Sequence, residues 1–540
     1  MFLKRIQKTT FKKLSLFTVL FYIISLFYNL HLEPLRLEEP RRALVALEML
    51  FNTNFITTTL LNETWYDHPP LYNIVLALSL KTFGLNTFAL RFPCAISLLL
   101  TGLLIYKMGK KYISRKFGTL SALFYLIAAD LYFYFSTIAE IDIFYSLLVL
   151  LSFFSIFHFH QKKQYYHLFG FAYLFISLAF LTKGFASYAF IVLTLSAYLS
   201  YQREFKKLFS LPHIIFGFSA VVFLGLYLYT YALYEDLPLY MSKMWGLTSS
   251  RTVLERGFGK LALHIITFPL NFIAVLFPST LFLLFSFKKG QIKKIKEKPY
   301  LVFLALTLIV NFSVYLISSG AKMRYTYMFF PIATNLLTYS FYSQIEINSW
   351  RNAIFYKIIR TLMVLLGVVF FVSPFINISV NPIFLNLSLP LFGVAILASL
   401  YLNMNTKDYT KSISVILFFV ICRLAFDHIG MPIKANLSKN KLHKNQAEEI
   451  YRIIGNKKDL FLLSSDALNS SDSANKFDCI PFKFYIVATY LEMFREKIIT
   501  KKRNIDMAGF YIINLDKNKN YPLLHSFEIN NTRLALIQQK

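Results

Sequence analysis

Leu35-Arg-Leu-Glu-Glu-Pro-Arg-Arg-Ala-Leu-Val-Ala-Leu-Glu-Met-Leu50 sets two adjacent carboxylates, Glu38 and Glu39, beside two adjacent guanidinium groups, Arg41 and Arg42. Pro40 suits the first turn of a helix, where its missing N–H is not needed. Leu44, Leu47 and Met49 to Phe51 give that helix an apolar side. The stretch reads as an amphipathic helix lying on a membrane, with a charged cluster at its start. Taken alone, it reads equally well as a solvated loop end with a snorkelling base or two. The chain around it decides between the two.

Of the 540 residues 56% are hydrophobic and 18% aromatic, and only 16% are charged; the mean hydropathy is +0.51. This composition excludes an ordinary soluble globular protein and indicates a polytopic membrane protein. A net charge of +29 would suggest nucleic acid in a soluble chain. Here the lysines cluster in short loops between apolar runs, which is topological charge bias, so no nucleic-acid partner is expected. Cys94, Cys422 and Cys479 supply neither a disulfide framework nor a metal-ligand spacing. No secretory cleavage pattern is present, and the first apolar run is expected to be a retained helix.

Lys4, Arg5, Lys8, Lys12 and Lys13 precede that first run, 14–31. Basic residues stay cytoplasmic, so Glu38 is expected on the far side, periplasmic in a bacterium. The run 88–108 ends in Lys107, Lys110, Lys111, Arg115 and Lys116, and is cytoplasmic at that end by the same rule. The intervening run 70–84 is shorter than the ~20 residues of a full span, and is expected to be an interfacial or re-entrant helix. Further runs at 119–136, 143–160, 168–182, 185–201, 212–232, 261–286, 300–318, 325–343, 356–378, 383–402 and 412–430 alternate, and every turn assigned to the cytoplasm carries bases. The expected architecture is an all-α polytopic membrane domain, residues 1–435, with about thirteen transmembrane helices, outer interfacial helices and a cytoplasmic N-terminus. Residues 436–540 are more polar, with short apolar runs such as 459–464 and 509–515, and predict a small α/β domain on the same outer side as Glu38. It carries no catalytic motif. No internal repeat supports an inverted-repeat transporter.

Under this topology the unusual polar residues gather on one face. They are Glu38, Glu39, Arg41 and Arg42; Trp65-Tyr-Asp-His-Pro-Pro70; Glu140-Ile-Asp142; Thr182-Lys-Gly184; Lys243, Arg251, Glu255, Arg256 and Lys260; and Lys322-Met-Arg-Tyr325. Ionisable groups at the membrane are costly and usually functional. Several bases facing several carboxylates suit an anionic headgroup, with a carboxylate left for acid–base or metal chemistry. Each also has a plainer reading: Glu140 and Asp142 as hydrated helix ends, Lys183 as a snorkelling base, the 243–260 loop as a contact for membrane lipids.

The series Glu38-Glu-Pro-Arg-Arg…Glu48-Met-Leu, Trp65-Tyr-Asp-His-Pro-Pro-Leu-Tyr72, Phe83-Gly84 and Leu90-Arg-Phe-Pro93 resembles polyprenyl-phosphate-dependent glycosyltransferases of the aminoarabinose transferase and protein mannosyltransferase type. Asp142, Thr182-Lys-Gly184, Arg324-Tyr325 and Pro331 continue the resemblance in the family's order, over roughly residues 14–340. The resemblance implies the GT-C fold and a catalytic base at Glu38, where the family usually has aspartate. It implies phosphate contact at Arg41, a second catalytic aspartate at Asp142, and binding roles for Lys183, Arg324 and Tyr325. It associates Asp67 with a divalent metal, while His68 replaces a family lysine and the family's metal-associated histidine has no counterpart. Glu39, Arg42 and Lys322 complete the expected substrate-binding set.

The expectation is therefore a multi-pass enzyme of the bacterial inner membrane. It would transfer a sugar from a polyprenyl-phosphate donor to a lipid (lipid A among them), glycan or protein acceptor, with inversion, on the periplasmic face. The rival readings are a lipid-linked sugar transporter or flippase, which would place its charges near the midplane, and a non-catalytic membrane assembly protein.

Overall fold

The computed structural model describes residues 2–249, 258–347, 349–373, 383–456, 458–464, 481–516, 518 and 521–539. Arg251, Glu255, Arg256, Cys479 and the end of the 356–378 run lie outside these residues. Among the described residues nine helices are long and apolar enough to cross a membrane. Two further helix pairs qualify only jointly: Arg115–Leu126 with Asp130–Thr137, bent by 52°, and Gly259–Val275 with Ser279–Ser286, bent by 106°. Nine to eleven candidate spans thus meet the length and apolarity of a full crossing, against the thirteen expected from hydropathy. The difference lies in two runs whose helices are short, Ala186–Tyr201 with 16 residues and Phe330–Tyr342 with 13, the latter extended by the 3₁₀ turn Met323–Phe329. Leu71–Phe83 is short as expected, at 13 residues.

The alternation of the runs is visible in the contacts. At one end of the bundle the Tyr112 hydroxyl meets His158 at 2.9 Å, Ser114 meets Tyr342 at 2.8 Å, and the Phe11 and Tyr409 rings lie 6.5 Å apart. This is the end with the basic turns. At the other end Tyr28 meets His428, and the 29–39, 137–142, 183–184 and 322–327 segments converge. Side-chain caps start two of the spans. Asn86 accepts from the Ala89 amide at 2.9 Å, and Ser349 accepts from Asn352 at 3.4 Å, each satisfying an amide that the helix leaves unpaired.

The C-terminal region contains the helices Lys439–Ile454 and Phe484–Arg495 and a five-stranded mixed sheet. Its strands are β3 (Leu460–Leu463), β4 (Thr500–Lys502), β5 (Gly509–Asn514), β6 (Leu523–Ile529) and β7 (Thr532–Gln539), in the order β4-β3-β5-β7-β6. β3 pairs parallel with β4 and β5, while β7 pairs antiparallel with β5 and β6. The sheet does not build its core alone. Ile450, Leu462, Val487, Leu491 and Ile512 share one buried apolar cluster with Leu44, Leu47, Tyr72 and Leu76. The helix Glu39–Asn52 is thus clamped between the membrane bundle and this region. The Thr489 hydroxyl donates to the Pro40 carbonyl at 3.0 Å, and the Lys501 amide donates to that of Leu61 at 3.1 Å.

Candidate active site

Glu38 lies at the start of the helix Glu39–Asn52, with Pro40 in its first turn. Arg41 follows one turn later, so its guanidinium folds back and pairs with the Glu38 carboxylate. Its Nη1 also lies 3.9 Å from Asp67. The guanidinium lies near two aromatic rings, Trp65 at 5.4 Å and Phe482, from the C-terminal region, at 5.0 Å. A small hairpin, β1 (Thr59–Leu60) with β2 (Glu63–Thr64), sets Trp65 to His68 beside Arg41. Its turn is anchored by the buried Glu48 carboxylate, which accepts from the Leu61 and Asn62 amides. Glu38, Arg41, Arg42, Trp65, Asp67 and His68 line a cleft of about 10 Å³, roughly room for one water.

A second group comes from three other segments. Asp142 stands in the first turn of Ile141–Gln161, and Lys183 is the last residue of Tyr165–Lys183. The two helices are antiparallel neighbours, so the start of one meets the end of the other, and Lys183 pairs with Asp142. Gly184 makes this turn possible. Its φ of +85° is one that L side chains rarely adopt, and a Cβ there would meet Met244 at 2.8 Å. Lys183 lies 4.6 Å from the centre of the Tyr325 ring and 5.1 Å from that of Tyr145. Arg324 reaches in from the 3₁₀ turn, with Nη1 3.0 Å from Glu140 and Nε 3.7 Å from Asp142.

The two groups share one electrostatic field. Burial raises the Glu38 carboxyl, but Arg41, Arg42 and Arg324 together hold it below its usual value. Glu140, closed from solvent, is pushed up by burial against the pull of Arg324, with Asp142 adding to the rise and Arg42 opposing it. Its Oε2 is buried without a hydrogen-bond partner among the described residues.

Glu39, expected among the substrate contacts, is placed differently. It is fully buried, and Arg91 grips it with Nε at 2.8 Å and Nη2 at 3.0 Å. The Arg36 amide at 3.0 Å and the Ala139 amide at 2.8 Å complete its shell. It ties the Glu38 helix to the segment carrying Glu140. Lys322 is exposed at the start of the 3₁₀ turn. Glu38, Arg41, Arg42, Asp67 and His68 come together in the first group, and Asp142, Lys183, Arg324 and Tyr325 in the second. The sequence places Glu140 on the same face and Arg91 in a family motif without making either a site residue, and it gives Phe482 no part. An arginine within the apolar run 88–108 is a signal in itself, because an intramembrane charge needs a buried counter-charge. Phe482 carries no such signal, since only the fold brings the C-terminal region here.

The metal expected at Asp67 is not matched by a donor set. Among the described residues no grouping of three or more His, Cys, Asp and Glu side chains could hold a metal ion, and Asp67 lies against the Arg41 cation.

Residues 67–230 match the family of dolichyl-phosphate-mannose-protein mannosyltransferases. The undecaprenyl phosphate-alpha-4-amino-4-deoxy-L-arabinose arabinosyl transferase 2 of Proteus mirabilis is 29% identical over 214 residues, 39% of this chain and 37% of that one. A corresponding transferase of Wigglesworthia glossinidia brevipalpis is 29% identical over 174 residues, 32% of this chain and 30% of that one. The chain thus spans about a third of the length of these curated relatives. The crystal structure of ArnT from Cupriavidus metallidurans bound to undecaprenyl phosphate superposes with a TM-score of 0.68 at 13% identity, covering 96% of this chain and 97% of that one. Residues 67–230 are thus similar to that mannosyltransferase family, and the chain shares the fold of the Cupriavidus metallidurans ArnT structure along almost its whole length.

Proposed function

We propose that the protein is a membrane glycosyltransferase that takes a sugar from a polyprenyl-phosphate donor and passes it to a lipid, glycan or protein hydroxyl. One observation carries this reading: four segments bring Glu38, Asp142, Arg41, Arg42, Lys183 and Arg324 together at one end of an apolar bundle. A transporter would hold such groups near mid-span. A scaffold gains nothing from carboxylates set this close to bases at the edge of the bundle. The likeness to the arabinosyl transferases and to the undecaprenyl-phosphate-bound ArnT fold supports the donor class.

The reaction follows from the charges. The acceptor's O–H gives its proton to the Glu38 carboxylate, its oxygen attacks the anomeric carbon, and the bond from that carbon to the phosphate oxygen breaks. The phosphate leaves with the electron pair and the anomeric carbon inverts. Arg41, Lys183 and Arg324 offset the growing phosphate charge, Arg42 adds to their field, and Tyr325 beside Lys183 offers a hydroxyl to the same oxygens. In the closed cleft Arg41 is held by Glu38. An arriving phosphate competes for that guanidinium, and as Arg41 turns to it, Glu38 loses its nearest cation and becomes a stronger base. Asp142 holds Lys183 and Arg324 in place, Glu140 holds Arg324, and Glu39 fixes the helix that carries Glu38. Asp67 and His68 close the cleft beside Arg41. The exposed Lys322 meets the donor at the mouth. No step passes through a metal.

The basic turns at the opposite end of the bundle favour a cytoplasmic N-terminus and thirteen crossings, counting the two short helices and both bent pairs. The reaction end and the C-terminal region are then periplasmic in a bacterial inner membrane. The test is sugar transfer by the purified protein in detergent, read by release of polyprenyl phosphate. A flippase does nothing without a sealed membrane. Transfer that is absent from wild type, or undiminished in Glu38→Gln, rejects this assignment.

A further inference from the structure

A second concavity lies at the other end of the bundle. It has a volume of about 920 Å³ and is walled by the helices Trp350–Val372 and Asp408–Ala425 and the turn between Asn405 and Asp408. Four bases line it, Lys357, Arg360, Lys407 and Lys411, against two carboxylates, Glu346 and Asp408. Two of the bases are fixed in place. Arg360 donates from Nε to Asn403 Oδ1 at 2.9 Å and from Nη2 to the Asn403 carbonyl at 3.3 Å. The Lys411 ammonium lies 4.0 Å from the centre of the Tyr356 ring. Lys357 and Lys407 are exposed.

We propose that this cavity binds the phosphate headgroup of an anionic glycerophospholipid from the leaflet opposite the reaction site. Positive-inside bias alone explains lysines near a membrane surface, but it does not explain a guanidinium immobilised in the wall of a cavity by two bonds to one asparagine. The volume falls within the roughly 300–1,000 Å³ of sites that take whole organic molecules, and far exceeds what a free inorganic anion fills. The wall also continues as an apolar track. Leu365, Val368, Val369 and Val372 are 57%, 53%, 57% and 45% exposed, and their spacing puts them on one side of their helix. An acyl chain lying on that track leaves its glycerophosphate at the four bases. Basic pockets between membrane helices are a recurrent setting for anionic headgroups.

The experiment uses the full chain purified in mild detergent. Native mass spectrometry follows retention of added phosphatidylglycerol, with phosphatidylcholine, a polyprenyl phosphate and inorganic phosphate as the other arms. Wild type should retain phosphatidylglycerol over phosphatidylcholine, and inorganic phosphate should not displace it. Each lysine near a membrane surface contributes about fivefold, so Lys357→Gln with Lys407→Gln should weaken retention by about 25-fold; both side chains are exposed, so folding is spared. Val364→Trp keeps every charge and fills the cavity from the 43% exposed Val364, and should give a comparable loss. Equal retention in both variants, equal retention of phosphatidylcholine, preference for the polyprenyl phosphate, or displacement by inorganic phosphate would each overturn the proposal.

Discussion

Replacing Glu39 by glutamine separates positioning from substrate contact at the start of the helix that carries Glu38. The carboxylate accepts four hydrogen bonds, two from Arg91 and one each from the Arg36 and Ala139 amides. Arg91 is also closed from solvent, and its remaining bonds go to the carbonyls of Leu30 at 2.8 Å and Pro34 at 3.4 Å. Glutamine keeps the shape, but it turns an NH₂ toward these donors and leaves the guanidinium without a counter-charge. Breaking one side of a buried pair costs about 3–5 kcal/mol. The apparent Tm in detergent should therefore fall clearly, while Glu38→Gln, at a half-buried carboxylate, should move it much less. Below that lowered Tm, turnover should drop by up to ~10²-fold, the cost of about 1 Å of misplacement of a reacting group, with the donor KM changed little. Glu39→Asp should fall between the two, because one methylene less cannot reach all four donors. A wild-type Tm combined with a tenfold rise in donor KM would refute this reasoning and return Glu39 to the substrate.

Glu38→Gln should cost ~10²–10⁴-fold in turnover, the usual value of general-base assistance, with donor binding kept; normal turnover there beside a dead Asp142→Asn would make Asp142 the base. The base acts ionised, and its carboxyl is held below the usual range, so the acid limb of kcat/KM should lie below the ordinary carboxylate range. Arg41→Gln removes the leading cation and should move that limb to higher pH; an unmoved limb would show that Glu38 is not the titrating group. Lys183→Ala and Arg41→Ala should raise the donor KM, and Arg41→Lys should remain impaired because an ammonium cannot offer two parallel donors; wild-type kinetics in both alanine variants would leave only snorkelling bases. Cysteines placed at Lys110 and Lys293 should label only from inside sealed cells, and one at Glu63 from outside, with the reverse pattern inverting the proposed orientation.

Hydropathy and the position of the basic turns made the alternation of the bundle legible, because both reflect contact with lipid and a membrane interface along the chain. They overcounted straight spans because a window average does not see a 106° bend between Val275 and Ser279. Nor does it see that Ala186–Tyr201 stops at 16 residues. The site divides in the same way. Glu38 with Arg41, and Lys183 before Gly184, were readable because helix spacing and a positive-φ glycine are local properties. Whether a carboxylate meets substrate is not local. Glu38 and Glu39 are neighbours of identical chemistry, yet successive helix positions point about 100° apart, so one lines the cleft and the other is enclosed by Arg91. The residue that settles this lies 52 positions on. It was visible as a lone guanidinium in an apolar run, and electrostatics requires such a charge to have a buried partner. The carboxylate that satisfies Arg91 is thereby enclosed, and of the acidic pair only Glu38 lines the cleft, so the proposed base and the positioning group are told apart by a contact that local sequence does not carry.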